Sequence, residues 1–120
     1  MTGRRVLIVH AALVMRMMMR DMLIGSGFEV VGEAVNGLQA VNRYKTLLPD
    51  VVTMDLVMAE MDGIAAVKAI VAEFPQANII ICTSMGQQAL VEVIQAGAKA
   101  LITKPFQPAE LIEAIQTLWA

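Results

Sequence analysis

One cysteine, Cys82, stands in 120 residues, so neither an intramolecular disulfide nor a cysteine-rich zinc site can form. A lone thiol fits a reducing compartment, and the cytoplasm is the expected location. Positive charge is not in excess either. Nine Lys plus Arg against eleven Asp plus Glu leave a formal charge of −2, which argues against the broad basic surface of a nucleic-acid binder. Long hydrophobic runs are also missing, although the mean hydropathy is +0.65. The longest uncharged stretch, Phe74 to Val91, is broken by Pro75, Gln76, Asn78 and Gly86, which a lipid-spanning helix of roughly 20 residues tolerates poorly. At the N-terminus, Arg4-Arg5 precedes only Val6-Leu7-Ile8-Val9 before His10, too short for a signal-peptide core. What is present is a 58% hydrophobic chain, long enough for one domain with a real core and too short for two. One domain over residues 1–120 is expected.

Two kinds of hydrophobic segment alternate along the chain, with short Gly, Pro and Asn punctuation and no repeat or low-complexity linker. Strands are expected at Arg5–Val9, Glu29–Ala34, Val51–Asp55, Asn78–Thr83 and Ala100–Thr103. These are short runs without polar alternation, as strands buried on both faces should be. Helices are expected at Ala12–Gly25, Leu38–Leu48, Gly63–Phe74, Gly86–Ala96 and Pro108–Trp119, with Gly27, Pro49, Pro75 and Gly97 as stop signals. Five such units, joined right-handedly, build a five-stranded parallel sheet with helices on both faces, a doubly wound α/β fold. Ligands of such folds collect outside the carboxyl ends of the strands. The positions to read are therefore His10–Ala11, Asp55–Val57, Thr83–Ser84 and Lys104–Pro105.

Asp55 closes an otherwise apolar strand. Lys104 closes the last strand and precedes Pro105, before which a cis bond is cheap; such a bond would turn the lysine back over the sheet toward Asp55. Thr83 ends the fourth strand and offers a hydroxyl. A carboxylate nucleophile, an ammonium and a hydroxyl around one point would suit a phosphoryl group. Cys82 is turned away from Thr83 by the two-residue alternation of a strand and is read as core. On the first helix Met15, Met18, Met19 and Met22 share a face expected to pack inward, while Leu13, Met17 and Ile24 form a modest exposed apolar strip near Arg16 and Arg20. The last helix directs Leu111, Ile112, Ile115 and Leu118 inward and Glu110, Glu113 and Gln116 outward.

Six segments together carry a resemblance: Val6-Leu7-Ile8-Val9, Asn36-Gly37, Pro49-Asp50-Val51-Val52-Thr53-Met54-Asp55, Met61-Asp62-Gly63, Ala96-Gly97-Ala98-Lys99 and Thr103-Lys104-Pro105-Phe106. Along its whole length the chain resembles a bacterial response-regulator receiver domain of the stand-alone, CheY-like chemotaxis type, with a flavodoxin-like (βα)5 fold. The resemblance implies two-component signalling, with Asp55 as phosphoacceptor for a histidine kinase, Thr83 as switch hydroxyl and Lys104 as phosphate-sensing cation. It further implies Mg²⁺ held by Asp55 and the Val57 backbone carbonyl, and a downstream protein target on the face made by the fourth helix, fifth strand and fifth helix. No nucleic acid or membrane partner is implied, and a monomer is expected. The chain stops at Ala120, so no effector domain is expected.

Departures from the pattern cluster at the site. Receivers place an acidic pair for Mg²⁺ after the first strand, and here His10-Ala11 stands there; a neutral imidazole is a poor exchange for a carboxylate on a hard cation. Weak or absent metal binding and impaired Mg²⁺-dependent phosphorylation are expected. Ala59 replaces the usual loop proline, Ser84 stands where a small apolar residue is common, and Leu101 takes a position that is usually aromatic. Glu60 is read as a solvated loop residue. A kept framework with changed site residues fits a degenerate receiver or a scaffold engineered for other chemistry. In the second case His10 would be a nucleophile or base, with its pKa raised by Asp55 and with Ser84 or Lys104 assisting. A phosphorylation-independent interaction domain is the third reading.

Overall fold

The computed structural model describes residues 4–119. Five parallel strands, β1 (Arg5–Val9), β2 (Glu29–Ala34), β3 (Val51–Met54), β4 (Ile79–Thr83) and β5 (Ala100–Thr103), form one sheet in the order β2-β1-β3-β4-β5. The crossovers are α1 (Leu13–Gly25), α2 (Gly37–Leu47), α3 (Gly63–Glu73) and α4 (Leu90–Ala96), and α5 (Pro108–Thr117) follows the last strand. β1 pairs with β2 on one side and with β3 on the other, so strand order reverses at β1. A doubly wound sheet opens its crevice at that reversal, outside the carboxyl ends of the strands.

Alternation along the central strands feeds two cores. Leu7, Val9, Val52, Met54, Ile79 and Ile81 point to the face covered by Tyr44, Val67, Ile70 and Val93. Val6, Ile8, Val51, Ile80 and Cys82 point to the other face, against Met19, Leu23, Leu111 and Ile115. The expected two-sided burial holds for β1, β3 and β4, whereas the edge strands β2 and β5 are only partly buried.

The structure differs from the sequence expectations in several places. Met18, expected inward, is half exposed, and Leu23 is buried beside Met19 instead; apolar residues surround α1 on nearly every side, so spacing alone selects the inward face poorly. Leu13, Met17 and Ile24 are exposed as expected, joined by Val14. The helix expected from Gly86 opens instead with a 3₁₀ turn, Gly86–Ala89, because Gly86 sits at φ +75°, outside the helical region. Leu48 lies just beyond α2 in the left-handed region at φ 46°, where its N–H donates to Tyr44 O at 2.8 Å and ends the helix. Asp55 lies one residue past β3 and Asn78 one before β4. Side-chain caps start two helices: Asn36 accepts from Gln39 N–H at 2.8 Å and Asp62 from Ala65 N–H at 2.9 Å.

Candidate functional site

Backbone bonding carries the sheet one residue past three strand ends. Asp55 N–H donates to Val9 O at 3.1 Å, His10 N–H to Ala34 O at 3.0 Å and Lys104 N–H to Thr83 O at 2.8 Å. His10, Asp55 and Lys104 are therefore fixed in register at the carboxyl edge, where the strand order reverses. The peptide bond between Lys104 and Pro105 is cis.

Two glycines hold the loop after β3 in place. Gly63 N–H donates to Leu56 O at 2.8 Å, and a Cβ on Gly63 would lie 2.4 Å from the Asp55 carbonyl oxygen. Gly37 N–H donates to Met61 O at 2.8 Å, and its Cβ would lie 2.2 Å from that same oxygen. Neither approach leaves room for a side chain. The Asn36-Gly37 and Met61-Asp62-Gly63 segments thereby clamp the loop that begins at Asp55. The Asp55 carboxylate is oriented locally as well, with Oδ1 accepting from Leu56 N–H at 2.8 Å.

The other carboxylate oxygen faces two nitrogens. Asp55 Oδ2 is 3.5 Å from Lys104 Nζ and 3.5 Å from His10 Nε2, and the two nitrogens are themselves 2.5 Å apart. All three groups are largely buried. On the far side of the ring, Nδ1 accepts from Ala12 N–H at 3.2 Å. Both ring nitrogens thus face donors, a backbone N–H and an ammonium, while a neutral imidazole has one lone pair to offer. Protonating the ring would remove that one acceptor. The His10 pKa is accordingly lowered: burial is the largest cause, the Lys104 ammonium adds to it, Asp55 pulls upward and Arg16 pulls down again. The elevation expected from a carboxylate neighbour is reversed, because desolvation and the adjacent cation outweigh it. At 3.5 Å, His10 and Asp55 are also beyond an ordinary hydrogen bond.

The remaining expected residues lie around this triad. Thr83 is buried at the end of β4, with its hydroxyl accepting from Met85 N–H at 3.3 Å. Ser84, Ala11, Val57, Ala59 and Glu60 are exposed on the rim. Glu60 occupies the left-handed region at φ 65°. Leu101 is half-buried against the core. Cys82 is buried as expected, and desolvation pushes its thiol up to about 12.

Arg16 is the contributor that sequence reasoning passed over. Its Nη1 donates to the His10 carbonyl at 2.8 Å and to the Ala11 carbonyl at 3.2 Å, while its Nε pairs with Glu33 at 2.9 Å. One guanidinium therefore ties the β1–α1 loop to the end of β2. A basic residue one turn into the helix after a site loop was the available signal.

The donor set does not fit Mg²⁺. Among the described residues no group of three His, Cys, Asp or Glu side chains could hold a metal ion. Asp55 Oδ2 has an ammonium and an imidazole as its neighbours, whereas Mg²⁺ requires near-octahedral oxygen.

The response regulator receiver domain family matches residues 6–116. Over 114 residues the chain is 56% identical to the chemotaxis protein CheY of Thermotoga maritima, an alignment spanning 94% of this chain and 95% of that one. To the chemotaxis protein CheY of Bacillus subtilis it is 57% identical, with the same coverage. Among solved structures, the CheX–CheY complex with BeF₃ and Mg²⁺ from Borrelia burgdorferi gives a TM-score of 0.95 at 28% identity, covering 99% of this chain and 91% of that chain. The response regulator domain of Thermotoga maritima CheB gives 0.90 at 34% identity, covering 97% and 96%.

Proposed function

The chain belongs to the response regulator receiver domain family as a CheY-like receiver of two-component signalling, and we propose that Asp55 is its phosphoacceptor. The observation that carries this is the carboxylate held at the crevice with Oδ1 fixed by Leu56 N–H and Oδ2 beside the Lys104 ammonium. In the proposed step Asp55 Oδ2 attacks the phosphorus of a phosphohistidine on a kinase. The P–N bond breaks, its electron pair stays on the departing imidazole, and an acyl phosphate forms on Asp55. Lys104 offsets charge on the phosphoryl oxygens, and the Thr83 hydroxyl supplies a further donor.

Receivers of the CheY type typically use Mg²⁺. With the acidic pair absent and one carboxylate left, metal-assisted transfer in this chain is impaired. Residues 1–120 act as one receiver domain. A histidine kinase supplies the phosphoryl group, and a protein target docks on the face of α4, β5 and α5; the Borrelia burgdorferi relative was solved with CheX. Among the described residues no helix is long and apolar enough to cross a membrane, and the cytoplasm remains the proposed location, with the chain monomeric.

The test is modification by acetyl phosphate, with and without Mg²⁺, read by intact-protein mass and repeated on Asp55→Asn. The expected outcome is slow modification, absent in Asp55→Asn and accelerated little by Mg²⁺. Normal, saturable Mg²⁺-dependent modification would show that His10 and Ala11 do not impair the site. No modification at all would remove the phosphoacceptor role.

A further inference from the structure

A cavity of about 520 Å³ opens between β5 and α5 on the side of the molecule away from β2. Its walls are apolar where Leu101, Ile102, Ala109 and Ala114 line it, and its rim carries two carboxylates, Glu110 and Glu113. These lie three residues apart on α5 and so share one face. Neither carboxylate has an ion-pair partner among the described residues. Glu110 accepts one bond, from Gln107 N–H at 3.1 Å, which leaves its second oxygen available.

No basic residue lines the cavity, and Arg4 is stacked on Trp119 past the end of α5, 3.9 Å from the ring centroid. From Ser84 to Trp119 the only basic residues are Lys99 and Lys104. Lys99 donates to Asn78 Oδ1 at 3.1 Å at the opposite end of β5, and Lys104 is held by Asp55 and His10. The charged side chains that line the cavity are Glu110 and Glu113, so its lining is negative. Next to β5, α4 exposes Leu90, Val91 and Ile94.

We propose that this groove receives an arginine or lysine side chain from an apolar segment of a protein partner. The aliphatic stem would lie along Leu101, Ile102, Ala109 and Ala114, as long basic side chains lie on apolar surfaces. The cationic head sits between Glu110 and Glu113, where a guanidinium meets two carboxylates, and apolar neighbours rest on α4. The inference deepens the partner reading above and rests on it for the premise that this face meets a protein.

The probe is a short, blocked alanine–leucine peptide with two arginines and a fluorescent label, compared with the same peptide carrying citrulline, which keeps shape and removes charge. Affinity is measured by anisotropy at low salt, and the site by amide chemical shifts. The expected result is that the arginine peptide shifts residues 101–103 and 109–117. Citrulline, or the Glu110→Gln/Glu113→Gln variant, weakens binding about fivefold, whereas Glu29→Gln on β2 does not. Glutamine at position 110 can still accept the Gln107 N–H bond, so the helix start is kept. Equal binding of the citrulline peptide, unchanged affinity in the double variant, shifts elsewhere, or no binding at millimolar peptide would each overturn the proposal. Acetyl phosphate modification of Asp55 is followed on the same samples. Modification without peptide binding overturns the groove alone, and peptide binding without modification overturns the phosphoacceptor alone.

Discussion

Replacing Lys104 by Met removes the cation beside a buried carboxylate while keeping most of the side chain's length. At the 3.5 Å between Lys104 Nζ and Asp55 Oδ2, the attraction is about 5 kcal/mol at an effective dielectric of about 20. The side chains retain only 16% and 11% of their exposure, so water screens part of this. A coupling of about 2 kcal/mol is expected, with a larger loss in Lys104→Met alone because Asp55 is left buried and unpaired. The assay is a double-mutant cycle in urea over the parent, Lys104→Met, Asp55→Asn and the double variant. A second readout comes from His10, the only histidine, whose single C2–H resonance is easily followed. Lys104 lowers its pKa and Asp55 raises it, so in Lys104→Met the midpoint should rise. A coupling below about 0.5 kcal/mol, with an unmoved His10 midpoint, would refute the three-group cluster.

Three further outcomes follow from individual contacts. Because the folded His10 pKa lies below its usual 6.5, the folded state binds fewer protons, and the associated stability is present above about pH 6.5 and lost as pH falls through the folded value. Urea midpoints from pH 7.5 to 5 should therefore fall more in the parent than in His10→Gln, and parallel curves would refute the lowered value. Thr53 has a fully buried hydroxyl with no hydrogen-bond partner among the described residues, so Thr53→Val should stabilise by about 1 kcal/mol in urea; a loss of stability would show that the hydroxyl is satisfied. Gly63→Ala should cost about 2–3 kcal/mol by the same assay and slow Asp55 modification, because its Cβ would sit 2.4 Å from the Asp55 carbonyl oxygen. Gly25→Ala, where a Cβ meets nothing within 4 Å, should cause no such loss.

The strands and their parallel arrangement were legible because short apolar runs with strong punctuation leave few alternatives. Backbone bonding then forces Asp55, Lys104 and His10 to the same edge, so their proximity could be anticipated from strand ends alone. Side-chain detail was less accessible. α1 offered apolar residues on nearly every side, and the choice between Met18 and Leu23 depended on how the helix rolls against the sheet. The reversed His10 shift depended on which groups face each ring nitrogen, and strand register does not specify that. Arg16 was legible as a charge and not as a loop tie, because its partners in the loop are carbonyls, which every residue carries, and its carboxylate partner Glu33 lies 17 residues away.

Charge counting connects the altered residues with the metal. A receiver with an acidic pair beside its phosphoacceptor gathers three carboxylates against one lysine, a net charge of about −2, which Mg²⁺ neutralises. In this chain His10-Ala11 brings no anion, and burial together with Lys104 and Arg16 keeps the imidazole from readily becoming a cation. Asp55 and Lys104 then balance each other without a metal, and a divalent cation would meet an ammonium 3.5 Å from its remaining carboxylate oxygen. Restoring the acids by His10→Asp/Ala11→Asp returns the net charge to about −2 and removes the second contact on Lys104. Calorimetry should show tighter Mg²⁺ binding in that double variant than in the parent, and the variant's acetyl phosphate reaction should depend more strongly on Mg²⁺. Equal Mg²⁺ affinity in both proteins would mean that charge at positions 10 and 11 does not govern the site.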